Sequence, residues 1–90
     1  MRKVITINYL SDVKNFQGVI LTKSEYPITL RRGTFMCDAK SLLGIFSIDT
    51  SIPFEVEYNE NESYEVIDII NEFACTPAEV NEYMSKYYKE

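Results

Sequence analysis

Few side chains in this sequence could do chemistry, and the most informative residue is a missing one. The chain contains no histidine among its 90 residues. That removes imidazole acid–base catalysis, imidazole metal ligation and phosphohistidine chemistry together. Cys37 and Cys75 are too far apart for a C-x-x-C metal or redox pair and too few for a disulfide scaffold, so they read as reduced, inert thiols. Asp12 and Asp38 stand just before apolar runs, where carboxylates cap helices, and do not read as an acid–base pair. Arg31 and Arg32 could clamp a phosphate, but beside Gly33 they read as a solvated hairpin turn. The acidic residues from Asn59 to Glu65 do not follow the spacing of a calcium loop. With no convergent nucleophile and base and no glycine-rich phosphate cradle, the expectation is a non-enzyme without metal or cofactor. The hydroxyl that remains of interest is Ser41, placed just before the run Leu42-Leu43-Gly44-Ile45-Phe46.

A chain of this length supports one hydrophobic core. Hydrophobic residues make up 46% and charged residues 26%, the balance of a soluble globular domain. No apolar run approaches the roughly 18 residues that span a bilayer. The opening residues lack a continuous apolar segment and a small-residue cleavage site, so a cytoplasmic protein is expected. The net charge of −5 hides an asymmetry: residues 1–48 hold seven Lys/Arg against three Asp/Glu, and residues 49–90 two against eleven. An acidic chain is a poor general ligand for nucleic acid, whose phosphates demand a basic footprint. The basic half could steer an acidic protein partner.

The elements that must position Ser41 follow from periodicity. Residues 3–9 are rich in β-branched and aromatic types, with Ile5, Ile7 and Tyr9 sharing one face of a strand. Ser11 or Asp12 then caps a helix reaching about Lys23, with Val13, Phe16, Val19 and Ile20 on its apolar side. Gly18 inside it costs roughly 1 kcal/mol against alanine and implies close packing on the sheet. After Pro27, Ile28–Leu30 and Thr34–Cys37 form strands around a glycine turn. Asp38 to Ser41 supply capping residues for a short helix through Phe46. Residues 53–58 alternate, with Phe54, Val56 and Tyr58 facing in and Glu55 and Glu57 facing out. Ser63 caps a helix striped by Val66, Ile67, Ile70, Phe73 and Ala74. Thr76-Pro77-Ala78-Glu79 is a capping box opening a last helix, residues 77–88, with Val80, Tyr83, Met84, Tyr87 and Tyr88 on one side. The order is β-α-β-β-α-β-α plus an extra C-terminal helix: an α+β two-layer sandwich on a four-stranded antiparallel sheet.

The segment from Asp38 to Ile48 resembles the Lys-Ser-Ile-Met-Gly-Val-Met-Ser-Leu stretch of the HPr phosphocarrier family, from the bacterial phosphoenolpyruvate:sugar phosphotransferase system. Lys40, Ser41, Gly44 and Ser47 match it, and the element order is also the HPr order over residues 3–74. The resemblance implies an HPr-like open-faced sandwich over residues 1–75, with residues 76–90 as a helical extension packed on the same domain. HPr-like carriers take phosphate on a histidine at the start of the first helix, followed closely by an arginine and a proline. Here that junction reads Leu10-Ser11-Asp12-Val13-Lys14, and Lys14 stands nearest the vacated position. A lysine amine, protonated below about pH 10.4, is a poor phosphoryl acceptor, so no phosphocarrier chemistry is expected.

What the resemblance implies instead is regulation and binding. It places Ser41 where many HPr proteins are phosphorylated by an ATP-dependent kinase. Physics points the same way, because free N–H groups at a helix start stabilise an added dianion. The plainer role of Ser41 is an unmodified helix cap. Lys40, Leu42, Leu43 and Phe46 become the protein-binding residues, with Leu43 and Phe46 exposed and Ile45 and Ile48 buried. The expected partners are proteins, of phosphotransferase-system or transcription-regulatory type, with no nucleic acid or membrane. The competing expectation is a structural docking protein without phosphorylation, self-associating through the tyrosine- and methionine-bearing stripe of the last helix.

Overall fold

The computed structural model of the protein describes residues 1–88; the last two residues of the 76–90 extension lie outside the described residues. The elements follow the expected order: β1 (Arg2–Ile5), α1 (Leu10–Lys23), β2 (Thr29–Arg32), β3 (Phe35–Asp38), α2 (Leu42–Phe46), β4 (Phe54–Glu57), α3 (Tyr64–Glu72) and α4 (Pro77–Tyr87). The strands form one antiparallel sheet ordered β1-β4-β2-β3. No helix is long and apolar enough to cross a membrane among the described residues. β4 is drawn from the acidic half of the chain and lies between two strands from the basic half. Glu57 consequently meets Arg31 at 2.6 Å and Arg2 at 3.5 Å. The charge asymmetry of the sequence is partly neutralised across this ladder, where opposite charges on neighbouring strands attract.

The inner face of the sheet carries Ile5, Leu30, Phe54 and Val56, all fully buried against helices α1, α2 and α3. From α1 come Val13, Phe16 and Ile20, and from α3 Val66, Ile69 and Ile70. Phe16 meets Phe73 edge to face at 6.2 Å between ring centres, the arrangement the ring quadrupoles favour. The stripe expected for α3 is shifted: Ile69 joins the core while Ile67 and Phe73 are only partly buried. These helices and the sheet make the expected two layers. α3 is capped by Ser63, whose hydroxyl accepts from the Val66 N–H.

α4 departs from that plan, because it lies on the opposite face of the sheet. Its capping box forms as expected, with Thr76 and Glu79 bonded reciprocally and Pro77 at the first turn. Tyr83 is buried, and its hydroxyl donates to Glu55 Oε1 at 3.0 Å. The Tyr88 hydroxyl donates to the same oxygen, while Arg2 stands 3.8 Å from Glu55 Oε2. Glu55 was expected to face water but is only 2% exposed. The alternation along β4 is correct; what covers its second face is α4. Met84 and Tyr88 from the predicted stripe remain partly exposed.

Several local expectations are corrected. β1 stops at Ile5, and Tyr9 is exposed because the chain has left the sheet before reaching it. Ile7 is buried, as the strand pattern suggested. α1 starts at Leu10 with Tyr9 as its capping residue and no side-chain cap, so neither Ser11 nor Asp12 plays that part. Gly18 has open space where a Cβ would stand, so the inferred close packing on the sheet is absent. The turn between β2 and β3 is Gly33-Thr34, shorter than expected, with Gly33 at φ +60°, a backbone that glycine adopts without strain. Arg31 and Arg32 are strand residues, half-buried and engaged. Arg32 donates through Nε to the Pro53 carbonyl at 3.1 Å and through Nη2 to those of Ile52 and Asp49.

Two consequences are measurable. Gly18→Ala should raise stability by about 0.5–1 kcal/mol, since helix propensity improves and nothing obstructs the methyl group; urea unfolding reads it directly. Burial, and then the Glu55 carboxylate, push the Tyr83 phenol well above the ordinary tyrosine value; the Glu55 bond raises Tyr88 too. A phenol raised in the folded state stabilises below the unfolded value of about 10 and loses that contribution as pH rises further. Stability should therefore be level on this account below about pH 10 and fall above it, with Tyr83→Phe flattening the fall. An equal alkaline slope in wild type and variant would refute this assignment.

Candidate functional site

The site predicted from sequence lies at the turn from β3 into α2. Ser41 is exposed and caps α2, its hydroxyl accepting from the Gly44 N–H at 3.0 Å. Gly44 suits this closeness: a Cβ there would stand 3.2 Å from the Asp38 carbonyl oxygen and 3.3 Å from Ser41 Oγ, tight enough that a neighbour would have to give way. The approach to the cap is fixed as well. Asp38 Oδ1 accepts from the Lys40 N–H at 2.9 Å, and Gln17 Nε2 donates to the Lys40 carbonyl at 2.8 Å, tying α1 to the turn. Ser47 caps the other end, its N–H donating to the Leu43 and Gly44 carbonyls. The polar residues of the motif thus shape a single turn of helix.

The apolar residues between them divide by face. Ile45 and Ile48 are buried, as expected, while Leu42, Phe46 and above all Leu43, at 83% exposed, face solvent. Sequence reasoning missed two neighbours. Tyr9 and Leu10, both exposed, flank a hollow of about 250 Å³ that Val13, Ile45, Phe46 and Asp49 also line. Their place is fixed because the Ile7 N–H donates to the Thr50 carbonyl at 2.7 Å and the Thr50 hydroxyl donates to the Ile7 carbonyl at 2.9 Å. These bonds hold the chain entering α1 against the loop leaving α2. The signal that could have found Leu10 is its four-residue spacing from Lys14, which puts both on one face of α1. Lys14 is exposed there, one turn into the helix.

The cysteines do not line this hollow. Burial raises both cysteine thiols above their ordinary value, which favours the unreactive thiol over the thiolate. Asp38 serves the turn as described. Asp49 is held below the usual carboxylate range by the hydroxyl and N–H of Ser51, a local loop clasp. No group of three or more Cys, Asp or Glu side chains is arranged to hold a metal among the described residues.

No protein-family model, curated protein or solved structure matches the chain.

Since Ser41 and Gly44 act as one contact, their variants should fail together. Ser41→Ala should cost about 1 kcal/mol through the lost cap. Gly44→Ala should also destabilise, because the added carbon strikes backbone as well as the serine. In the double variant the two losses should be less than additive, as they are for residues in contact. Additive losses in thermal or urea unfolding would separate the roles of the two residues.

Proposed function

We propose that this protein is a non-catalytic, HPr-like binding module whose docking surface is the apolar end formed by Leu42, Leu43, Phe46, Tyr9 and Leu10, and whose partner choice is set by phosphorylation of Ser41. The observation that carries the reading is the exposure of Leu42, Leu43 and Phe46 on a helix rigidly capped at both ends. Apolar side chains held in water on a fixed scaffold are what protein interfaces are built from. The hollow beside Phe46 is smaller than the roughly 300–1,000 Å³ of small-molecule pockets, and suits a side chain of a protein partner. The element order and the Lys40, Ser41, Gly44 and Ser47 pattern support the HPr likeness, and the absence of histidine separates this chain from the carriers. Partners of phosphotransferase-system or regulatory type and a cytoplasmic setting belong to the same reading.

Phosphorylation would transfer the terminal phosphoryl group of ATP to Ser41 Oγ, releasing ADP and the hydroxyl proton. The product adds about −1.5 to −2 charge at the N-terminus of α2. The first N–H groups of the helix and Lys40 favour that charge, while Leu42 and Leu43 gain a dianion at their border. A surface that suits an apolar partner then suits a basic one. Self-association through α4 has weaker support, because Tyr83 is spent on this chain's own sheet.

The test offers both phosphoryl donors and reads intact mass. With an HPr serine kinase and ATP, wild type should gain one phosphoryl group and Ser41→Ala none. With the phosphotransferase enzyme and phosphoenolpyruvate, neither should gain any. Leu43→Asp should slow the ATP-dependent labelling while changing stability by less than about 0.5 kcal/mol, as solvent-facing substitutions do. Equal labelling of Ser41→Ala, or labelling from phosphoenolpyruvate, would overturn the reading.

A further inference from the structure

The two edges of the sheet are finished differently. Along β1 the free edge is closed by the chain between α3 and α4: Thr6 N–H donates to the Phe73 carbonyl at 3.1 Å, Cys75 N–H donates to that of Val4 at 3.0 Å, and Ile5 bridges Ala74. Along β3 no described residue forms a second strand. Edge strands are commonly guarded by lysine, proline, a bulge or a covering loop. β3 reads Phe35-Met36-Cys37-Asp38, and its first two residues are 42% and 53% exposed.

The backbone says which groups this edge offers. Ala39 N–H donates to the Ile28 carbonyl at 3.0 Å, and the same register pairs Leu30 with Cys37 and Arg32 with Phe35. Antiparallel ladders alternate between pairs that exchange hydrogen bonds and pairs that do not. The bonding groups of Phe35, Cys37 and Ala39 therefore point at β2, and those of Met36 and Asp38 point outward. The Asp38 carbonyl is already engaged by the Ser41 N–H at 3.1 Å. What stays free is the N–H and carbonyl of Met36 and the N–H of Asp38.

We propose that β3 is a self-pairing edge, joining antiparallel to β3 of a second copy of this chain about a two-fold axis at Met36. A residue on such an axis must both donate to and accept from its own copy, and Met36 has both groups free. In that register each Asp38 N–H meets the Thr34 carbonyl of the other copy, so the free groups of Met36 and the free N–H of Asp38 are all used, in four bonds across the axis. Phe35 lies against Cys37 of the other copy on the inner face, and the two Met36 side chains cover one another on the outer face. A register centred on Cys37 would instead aim both Met36 N–H groups at the Asp38 carbonyls that Ser41 holds, leaving two uncontested bonds where the Met36 register has four. A four-residue strand pair buries less than the roughly 1,200 Å² of a stable interface, so the dimer is transient and concentration-dependent.

This inference is independent of the Ser41 reading, and its test keeps the two apart. The full chain is followed by sedimentation and amide hydrogen exchange between about 20 µM and about 1 mM, the range in which weak edge contacts associate. A monomer–dimer equilibrium should appear, with exchange at the Met36 and Asp38 amides slowing as concentration rises. Met36→Lys, at an exposed position, should retain the fold by circular dichroism and weaken association at least about tenfold. Leu43→Asp should leave association unchanged. A monomer throughout, a dimer indifferent to Met36→Lys, or a dimer lost in Leu43→Asp would each overturn the proposal. A β3 edge that accepts only an extended peptide from another protein would overturn it too.

Discussion

The carboxylate of Glu55 is the constraint on which the rest of the architecture turns. It sits in the strand between β1 and β2, almost without solvent, and a buried carboxylate left unpartnered would cost several kcal/mol. Two tyrosine hydroxyls and a guanidinium meet it, and the tyrosines come from α4. The outer face of the sheet is therefore closed by a polar clasp, whereas the inner face is closed by apolar packing. The two layers are held by different physics. Apolar packing is non-directional and tolerates small shifts, while the clasp sets the position of α4 through directed bonds.

How much of this was legible depended on whether the signal was local. Three of the four helix caps were, because Ser41, Ser63 and Thr76 bond groups within three residues of themselves, whereas α1 begins after Tyr9 with no side-chain cap to read. The two-residue alternation of β4 was as well, since it follows from strand geometry alone. Glu55 was misjudged because alternation names two faces without naming their covers, and its cover lies 28 residues away at Tyr83. Arg31 and Arg32 were misjudged for the same reason, their partners being Glu57 and the carbonyls near Pro53. Tyr9 failed differently: its β propensity is real, but propensity is a weak prior once the chain has turned away from the sheet.

The candidate site divides along the same line. Ser41, Gly44 and Ser47 are mutually local, so their spacing already encoded a capped turn of helix. Tyr9 and Leu10 join it only through the bonds between Ile7 and Thr50, a contact spanning 43 residues. The apolar end is thus a composite of two chain segments, and only the α2 segment carried a readable pattern. Its apolar members owe their exposure to the geometry of a single helical turn. Ile45 and Ile48 turn inward to anchor it, and Leu42, Leu43 and Phe46 are left toward solvent.

α2 and β3 share a junction, and that junction explains why the two surfaces are separable. The Asp38 carbonyl accepts from Ser41 and its carboxylate from Lys40, so the last residue of the strand is also the first support of the cap. Those bonds leave Asp38 with its N–H directed at the free edge and its acceptors directed at α2. Donor and acceptor of one residue thereby serve opposite sides. Substitution of Leu43 acts on solvent-facing apolar surface and leaves these bonds in place, and substitution of Met36 acts on the edge and leaves the cap in place. A change at Asp38 would disturb both at once, which makes it the wrong residue for telling the two surfaces apart.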